Sequence, residues 1–158
     1  RKQRFRITLD QDFPQVIRAC KDIYRAGQNG TWISDELEAS YIALHEEGIA
    51  HSLEVWEGNR LVGGLYGELL GRMFFGESMF SRESNASKIG FLTLVKNFVK
   101  QGIGLIDCQI HSNYLESMGA THIPRKEFLT ESSRRQQQPF DFESFKESFR
   151  QDAEWILG

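Results

Sequence analysis

A chain of 158 residues has the length of one domain with its own core. Hydrophobic residues make up 40% and charged residues 26%, the balance of a globular protein rather than a disordered or fibrous one. The formal net charge of -3 excludes bulk attraction to nucleic acid, so any contact with RNA has to use local basic patches.

Residues 4–9 alternate Phe5, Ile7 and Leu9 with Arg4, Arg6 and Thr8, a strand pattern. Asp10 to Asp12 with Pro14 open a helix. Phe13, Val16, Ile17, Cys20 and Ile23 or Tyr24 give it one apolar stripe up to Gly27. Gln28-Asn29-Gly30 reads as a loop and Thr31-Trp32-Ile33 follows. Ser34 then caps a second helix that carries Leu37, Tyr41, Ile42 and Leu44 and ends at Gly48. Residues 50–56 and 60–69 read as strands joined through Glu57-Gly58-Asn59, with a third strand near 72–80. Asn85 or Ser87 opens the next helix, with Ile89, Leu92, Val95, Phe98 and Val99 expected to face inward, and Gln101-Gly102 closes it. A strand over 104–111, a short helix near 113–118 ending at Gly119, and a last strand over 120–128 with Pro124 at an edge or bulge complete the body. The polar, Gln-rich stretch 130–139 reads as a linker. Residues 140–158, through Phe142, Phe145, Phe149, Ala153 and Ile156, read as an amphipathic helix that docks on the body in preference to binding a partner. A meander, a crossover helix and further strands predict an α/β fold. It is a GNAT-like mixed, mainly antiparallel sheet with flanking helices, forming one domain over residues 1–129, an inference from topology alone.

The chemistry concentrates in Gly104-Leu105-Ile106-Asp107-Cys108-Gln109-Ile110-His111. Alternation along a strand puts Leu105, Asp107, Gln109 and His111 on one face and Ile106, Cys108 and Ile110 on the other. An Asp and a Gln projecting together from an apolar strand are costly unless each finds a partner. They are either satisfied by loop backbone at the strand end, or they form a carboxylate that orients an amide in a cleft. Glu77 is a second acid in an apolar run, Gly76-Glu77-Ser78-Met79-Phe80-Ser81-Arg82. It either caps a strand end or faces a polar ligand. Twelve Phe and three Trp exceed what a core of this size needs, so some are expected to line a cleft. Basic candidates for RNA are Arg1, Lys2, Arg4 and Arg6; Arg72, Arg82 and Lys88; Arg125 and Lys126; and Arg134 with Arg135, each on its own an ordinary solvated face. Cys20 and Cys108 read as buried thiols, which fits a reducing compartment. The His and Cys residues lack zinc spacing, so no metal is expected. No run of 18 apolar residues and no charged-then-apolar opening occurs, so a cytoplasmic setting without a membrane partner is expected.

The blocks Gly30-Thr31-Trp32-Ile33, His51-Ser52-Leu53-Glu54-Val55-Trp56, Leu61-Val62-Gly63-Gly64-Leu65-Tyr66-Gly67, Gly76 to Arg82, Asn85-Ala86-Ser87-Lys88 and Ile106-Asp107-Cys108-Gln109 arrive together, in order. In them the sequence resembles the leucyl/phenylalanyl-tRNA–protein transferase family, over roughly residues 5–128. The resemblance implies a cytoplasmic bacterial enzyme with a GNAT-like catalytic domain. Such an enzyme moves leucine or phenylalanine, with methionine a further candidate, from the 3' end of aminoacyl-tRNA to the α-amino group of proteins beginning with Arg or Lys. That transfer marks them for degradation through the N-degron pathway. No metal or nucleotide cofactor and a monomer are implied. Three departures stand out. The family carries an amino-terminal domain of some tens of residues ahead of residue 1, which contributes to the tRNA-end site. It usually has a His where this chain has Tyr114. The tail from about residue 130 matches nothing in the family.

By this resemblance Asp107 and Gln109 match the catalytic pair. The Gln oxygen accepts a hydrogen bond from the attacking amine, and Asp107 accepts from the Gln amide to hold it. Glu77 matches the pocket acid and faces either the donor's α-ammonium or the cationic acceptor. The walls of a leucine-or-phenylalanine pocket would be Leu65, Phe74, Gly76, Met79, Phe91, Leu94, Phe98 and Ile106, with plain core as the alternative for each. Trp32 matches a tryptophan that stacks on the terminal adenine. Two other classes compete. An acyl-CoA-dependent N-acetyltransferase needs a Gln/Arg-x-x-Gly-x-Gly/Ala loop between strand and helix. The nearest stretch, Val99-Lys100-Gln101-Gly102-Ile103-Gly104, begins with Val and lies between a helix and a strand. A non-catalytic module derived from the transferase is the other.

Overall fold

The computed structural model describes residues 4–23, 27 and 29–149. Arg1, Lys2, Tyr24 and the tail beyond Phe149, including Ala153 and Ile156, lie outside the described residues.

The N-terminal alternation forms β1 (Arg6–Leu9), which pairs antiparallel with β2 (Ala50–Glu57). Between them run α1 (Phe13–Asp22) and α2 (Asp35–Glu46). Asp12 caps α1 by accepting from the Gln15 amide, and Ser34 caps α2 by accepting from Leu37. The meander continues through β3 (Arg60–Leu70) and β4 (Met73–Ser81), each antiparallel to its predecessor. After β4 comes α3 (Ala86–Lys100), and then β5 (Leu105–Asp107), which pairs parallel with β4. The sheet order is β1-β2-β3-β4-β5, the mixed, mainly antiparallel sheet expected from the sequence.

Two apolar layers sandwich the sheet. Phe5, Ile7 and Leu9 join Leu53, Val55, Leu65, Phe74, Phe91, Leu94 and Phe98 on the α3 side. Phe13, Val16, Ile17, Cys20, Tyr66 and Phe80 pack on the α1 and α2 side. Gly63 and Gly90 let α3 lie directly on the strands. A Cβ on Gly63 would sit 2.8 Å from the Ala86 Cβ, and one on Gly90 2.7 Å from Leu53 and Val55.

Four expectations give way. The strand over 104–111 stops at Asp107, because Gln109 turns into the left-handed region at φ 62. Ile110 is consequently 80% exposed, not on a buried face. The face of α3 is rotated from the one expected. Ser87, Thr93 and Asn97 are buried with Gly90, Phe91, Leu94 and Phe98, while Val99 is 63% exposed. Asn97 donates its amide to the Thr93 carbonyl, which lets a polar side chain enter the core. No last strand forms over 120–128. The short helix α4 (Asn113–Glu116) is followed instead by α5 (Arg125–Gln136), which takes up residues 130–136 of the expected linker. Pro124 breaks any ladder and leads into the helix at φ -58, ψ 139. The Lys, Glu, Leu, Arg and Gln residues that follow favour helix without an apolar stripe. Glu131 ion-pairs with Arg134 and Arg135 one turn on. After α5, α6 (Phe142–Ser148) docks on the α3-side layer through Phe145, which is 3% exposed.

Candidate active site

The site is built where β4 and β5 part. The two strands pair only from Met73 with Leu105 to Phe75 with Asp107, so Gly76 to Ser81 of β4 run on without β5 beside them. Across from β3, Gly67 pairs with Gly76 and Tyr66 with Ser78, which leaves Glu77 as the extra residue of a β-bulge. The bulge reverses the alternation of β4. Phe74 packs in the α3-side layer, whereas Phe80, an even number of residues on, packs in the α1/α2-side layer. A bulge re-aims a side chain, and here it delivers Glu77 to the open end of the strand pair.

Gln109 reaches that point from the other side. Its amide nitrogen donates to Glu77 Oε1 at 2.9 Å and to the Gly76 carbonyl at 3.0 Å. Both amide hydrogens are thereby engaged. Asp107 does not hold this amide. Its Oδ1 accepts the backbone N–H of Gln109 at 2.8 Å, and the Ile110 N–H bonds back to the Cys108 carbonyl at 2.8 Å. The expectation that Asp107 orients the Gln109 side chain is corrected: Asp107 fixes the turn, and Glu77 fixes the amide. A non-glycine residue at φ 62 in a three-residue turn stores about 1–3 kcal/mol, strain of a kind concentrated at functional sites.

Sequence reading missed Glu68 and the role of Tyr41. Glu68 lies two residues after Tyr66 on the α2-facing side of β3 and one bulge away from Glu77. Tyr41 of α2 stands edge-on to the Tyr66 ring at 5.2 Å, close enough to feel the charge of both carboxylates. Partial burial, then the Glu77 charge, pushes the Glu68 carboxyl up to about 7. Burial, then the same two acids, raises the Tyr41 hydroxyl, so it stays a proton donor. The available signal was a charged residue in the middle of the apolar run Leu65-Tyr66-Gly67-Glu68-Leu69-Leu70.

The other candidates divide. Leu65, Phe74, Phe91, Leu94 and Phe98 are all buried in the α3-side layer. Gly76, Met79 and Ile106 are half-buried at its margin, Met79 and Ile106 packing against it. A Cβ on Gly76 would meet the Asp107 carbonyl at 3.5 Å, ordinary contact, so the chain's own packing does not demand glycine there. Met79 also lines an open cleft of about 460 Å³ with Arg82, Asn85, Ser87 and Tyr114. Ser87 Oγ and Tyr114 Oη are 3.1 Å apart in it. Trp32 is 49% exposed, a free aromatic face rather than a buried one. Several of the basic candidates are paired within the fold: Arg4 with Glu57 and Glu83, Arg82 with the Leu61 carbonyl, and Arg134 with Glu131. His111, Glu116 and His122, whose histidines show no zinc spacing in the sequence, bring ligand-type atoms within 4.8 Å of one another on the surface. Cys20 is buried and Cys108 half-buried, and neither is in a disulfide. Among the described residues no helix is long and apolar enough to cross a membrane.

Residues 1–133 match the leucyl/phenylalanyl-tRNA protein transferase family. The chain belongs to that family. A leucyl/phenylalanyl-tRNA–protein transferase of Christiangramia forsetii is 55% identical over 130 residues, 81% of this chain and 61% of the relative. One from Pseudomonas syringae pv. syringae is 52% identical over 141 residues, 89% of this chain and again 61% of the relative. The chain thus spans about three fifths of the length of these transferases. Among solved structures, an aminoglycoside acetyltransferase from an uncultured soil metagenomic sample superposes with a TM-score of 0.57 at 14% identity, covering 78% of this chain and 93% of its own. The aminoglycoside N-acetyltransferase AAC(6')-Iy, in complex with CoA, superposes with 0.56 at 11% identity, covering 79% and 93%. At such identities the likeness is one of fold alone, a GNAT-like sheet.

Proposed function

We propose that the chain carries the aminoacyl-transfer centre of a transferase that moves leucine or phenylalanine from aminoacyl-tRNA to the α-amino group of proteins beginning with Arg or Lys, in the cytoplasm, as an N-degron mark. The observation that carries the reading is the Gln109 side chain, pinned through its amide to Glu77 and Gly76 at the parting of β4 and β5. Family membership supports the reaction class.

The reaction is aminolysis of an ester. The amine nitrogen attacks the ester carbonyl carbon, a C–N bond forms, and the C–O bond to the ribose breaks. The amine loses a proton and the ribose oxygen gains one. A carboxamide oxygen is a very weak base, so Gln109 accepts a hydrogen bond from the amine and aims its lone pair rather than removing its proton. The neighbouring ribose hydroxyl is placed to relay that proton to the leaving oxygen. Asp107 supports the geometry by holding the Gln109 turn. Trp32 offers a stacking face for the terminal adenine, and Met79, Gly76 and Ile106 at the strand margin offer an apolar wall for the donor side chain. The test supplies radiolabelled leucyl-tRNA and a protein with N-terminal Arg to the full-length protein. Label in the acceptor is expected, and its absence with active tRNA overturns the reading.

A further inference from the structure

Glu68 and Glu77 form a pair of carboxylates to which the described residues supply no counter-charge. They meet across the β3–β4 ladder at the bulge, with the Tyr41 hydroxyl beside both. Glu77 spends one oxygen on the Gln109 amide. Glu68 Oε2 is buried with no hydrogen-bond partner, and so is Tyr66 Oη, two residues back on the same face of β3. Among the described residues no Lys, Arg or His side chain forms an ion pair with either acid. A buried carboxylate oxygen without a donor is expensive, and a second acid beside it makes it more so. The fold tolerates this by keeping a proton on Glu68 near neutrality. A cation with several N–H donors would satisfy the orphaned oxygen and the like-charge pair at once.

The geometry says which cation. The amide of Gln109 that aims the attacking amine is bonded to one member of the pair, so the pair lies beside the acceptor's α-amine. We propose, resting on the transferase reading above, that Glu68 and Glu77 together receive the cationic side chain of the acceptor's first residue, and that Glu68 sets the preference for Arg or Lys over neutral residues. A neutral first residue would leave the carboxylates unpaired on closing the site, which is a rejection as well as a missing attraction.

The experiment compares two acceptor peptides, one beginning with arginine and one with its uncharged isostere citrulline, in the wild-type full-length protein and in Glu68→Gln. Transfer from leucyl-tRNA and peptide binding by calorimetry are both read. Glu68→Gln should lower kcat/KM for the arginine peptide roughly 10–100-fold, the loss of one charge-assisted contact, and change the citrulline peptide several-fold less. Glu68→Asp should recover part of the arginine preference. Equal loss of both peptides, or undiminished preference for arginine, overturns the proposal. So does a rise in KM for leucyl-tRNA with acceptor preference intact, which would give the pair to the donor's α-ammonium. If the wild type transfers no label, the transferase reading has failed, and binding decides this proposal separately. Arginine peptide bound more tightly than citrulline peptide in the wild type but not in Glu68→Gln supports it, and no difference in the wild type overturns it.

Discussion

Gln109 donates its amide to Glu77, a residue 32 positions earlier in the chain, at 2.9 Å. Neither residue is placed by regular structure. Glu77 is the extra residue of a bulge and Gln109 the centre of a strained turn, so their meeting depends on both irregularities being held. Gln109→Ala in the full-length protein should lower turnover by ~10²–10⁴ with little change in donor affinity, the range of a positioned group acting on the reacting proton. Glu77→Gln keeps an oxygen that can accept from the Gln109 amide and should cost turnover less than Glu77→Ala. Steady-state kinetics with leucyl-tRNA settle the order, and equal losses for the two Glu77 variants would mean that charge, not orientation, is what Glu77 provides.

Asp107 is the second case in which position and charge separate. Its Oδ1 accepts the Gln109 backbone N–H and so keeps Gln109 at φ 62. An Asn oxygen can accept the same bond. Asp107→Ala should therefore lower turnover by ~10²–10⁴, while Asp107→Asn stays within about tenfold of wild type. If Asn is as damaging as Ala, the carboxylate acts by its charge or as a base, and the turn is incidental.

The sheet was legible because β1 alternates cleanly, because Glu57-Gly58-Asn59 separates the apolar runs of β2 and β3, and because Ser34 and Pro14 mark helix starts. The site was legible in membership but not in wiring. Asp107, Gln109 and Glu77 stand out as polar residues in apolar runs, yet which one holds the amide depends on a bulge and a turn that period-two reasoning assumes away. The same assumption put Ile110 on a buried face. Glu68 went unread because a single acid in a strand looks like a solvent-facing position until α2 is laid over it. The linker over 130–139 failed for a different reason: α5 is held by propensity and i,i+4 ion pairs, with Ser132 as its one buried residue, so it lacks the apolar stripe that announces most helices.

Glu68 also predicts a pH dependence of stability. Its carboxyl titrates near 7 in the fold against 4.5 for a free glutamate, with burial first and Glu77 second as causes. Among the described residues, Tyr41 of α2 and Tyr66 of β3 also face it, and both stay protonated in this range. A raised carboxyl holds its proton more tightly in the folded state, so its contribution is complete below pH 4.5 and lost as pH rises through 7. Solvent reaches part of the group, so the expected loss is about 1–2 kcal/mol. Urea unfolding of wild type and Glu68→Gln from pH 4.5 to 8 should show the wild type falling relative to the variant. A constant difference across that range would remove Glu68 as the source.

The docked tail makes a stability prediction that should leave the chemistry alone. Phe145 is 3% exposed and lies 5.1 Å from the Phe98 ring. Phe145→Ala should cost about 3–5 kcal/mol if the space stays open, less if α6 lifts away and water replaces it. Hydrogen exchange over 140–149 distinguishes the two, and unchanged melting would show that α6 contributes nothing to the fold.

Donor recognition should divide between a common contact and a selective one. Trp32 is exposed and ahead of α2, free to stack on a base, and every tRNA ends in the same adenine. Trp32→Ala should weaken leucyl and phenylalanyl donors alike, by ~1–3 kcal/mol. Met79 is half-buried on β4 beside the bulge, packed against the α3-side layer and lining the cleft. Met79→Ala enlarges an apolar wall and should shift preference toward phenylalanine over leucine. A hydrophobic pocket separates side chains differing by a methylene by only ~1–3 kcal/mol, so that shift should be tens-fold at most. Titration of leucyl- and phenylalanyl-adenosine analogues against wild type and both variants reads the two effects side by side. If Trp32→Ala changes the leucine-to-phenylalanine ratio, or Met79→Ala weakens both analogues equally, the selective wall lies at Trp32 and the common contact at the β4 margin, the reverse of this assignment.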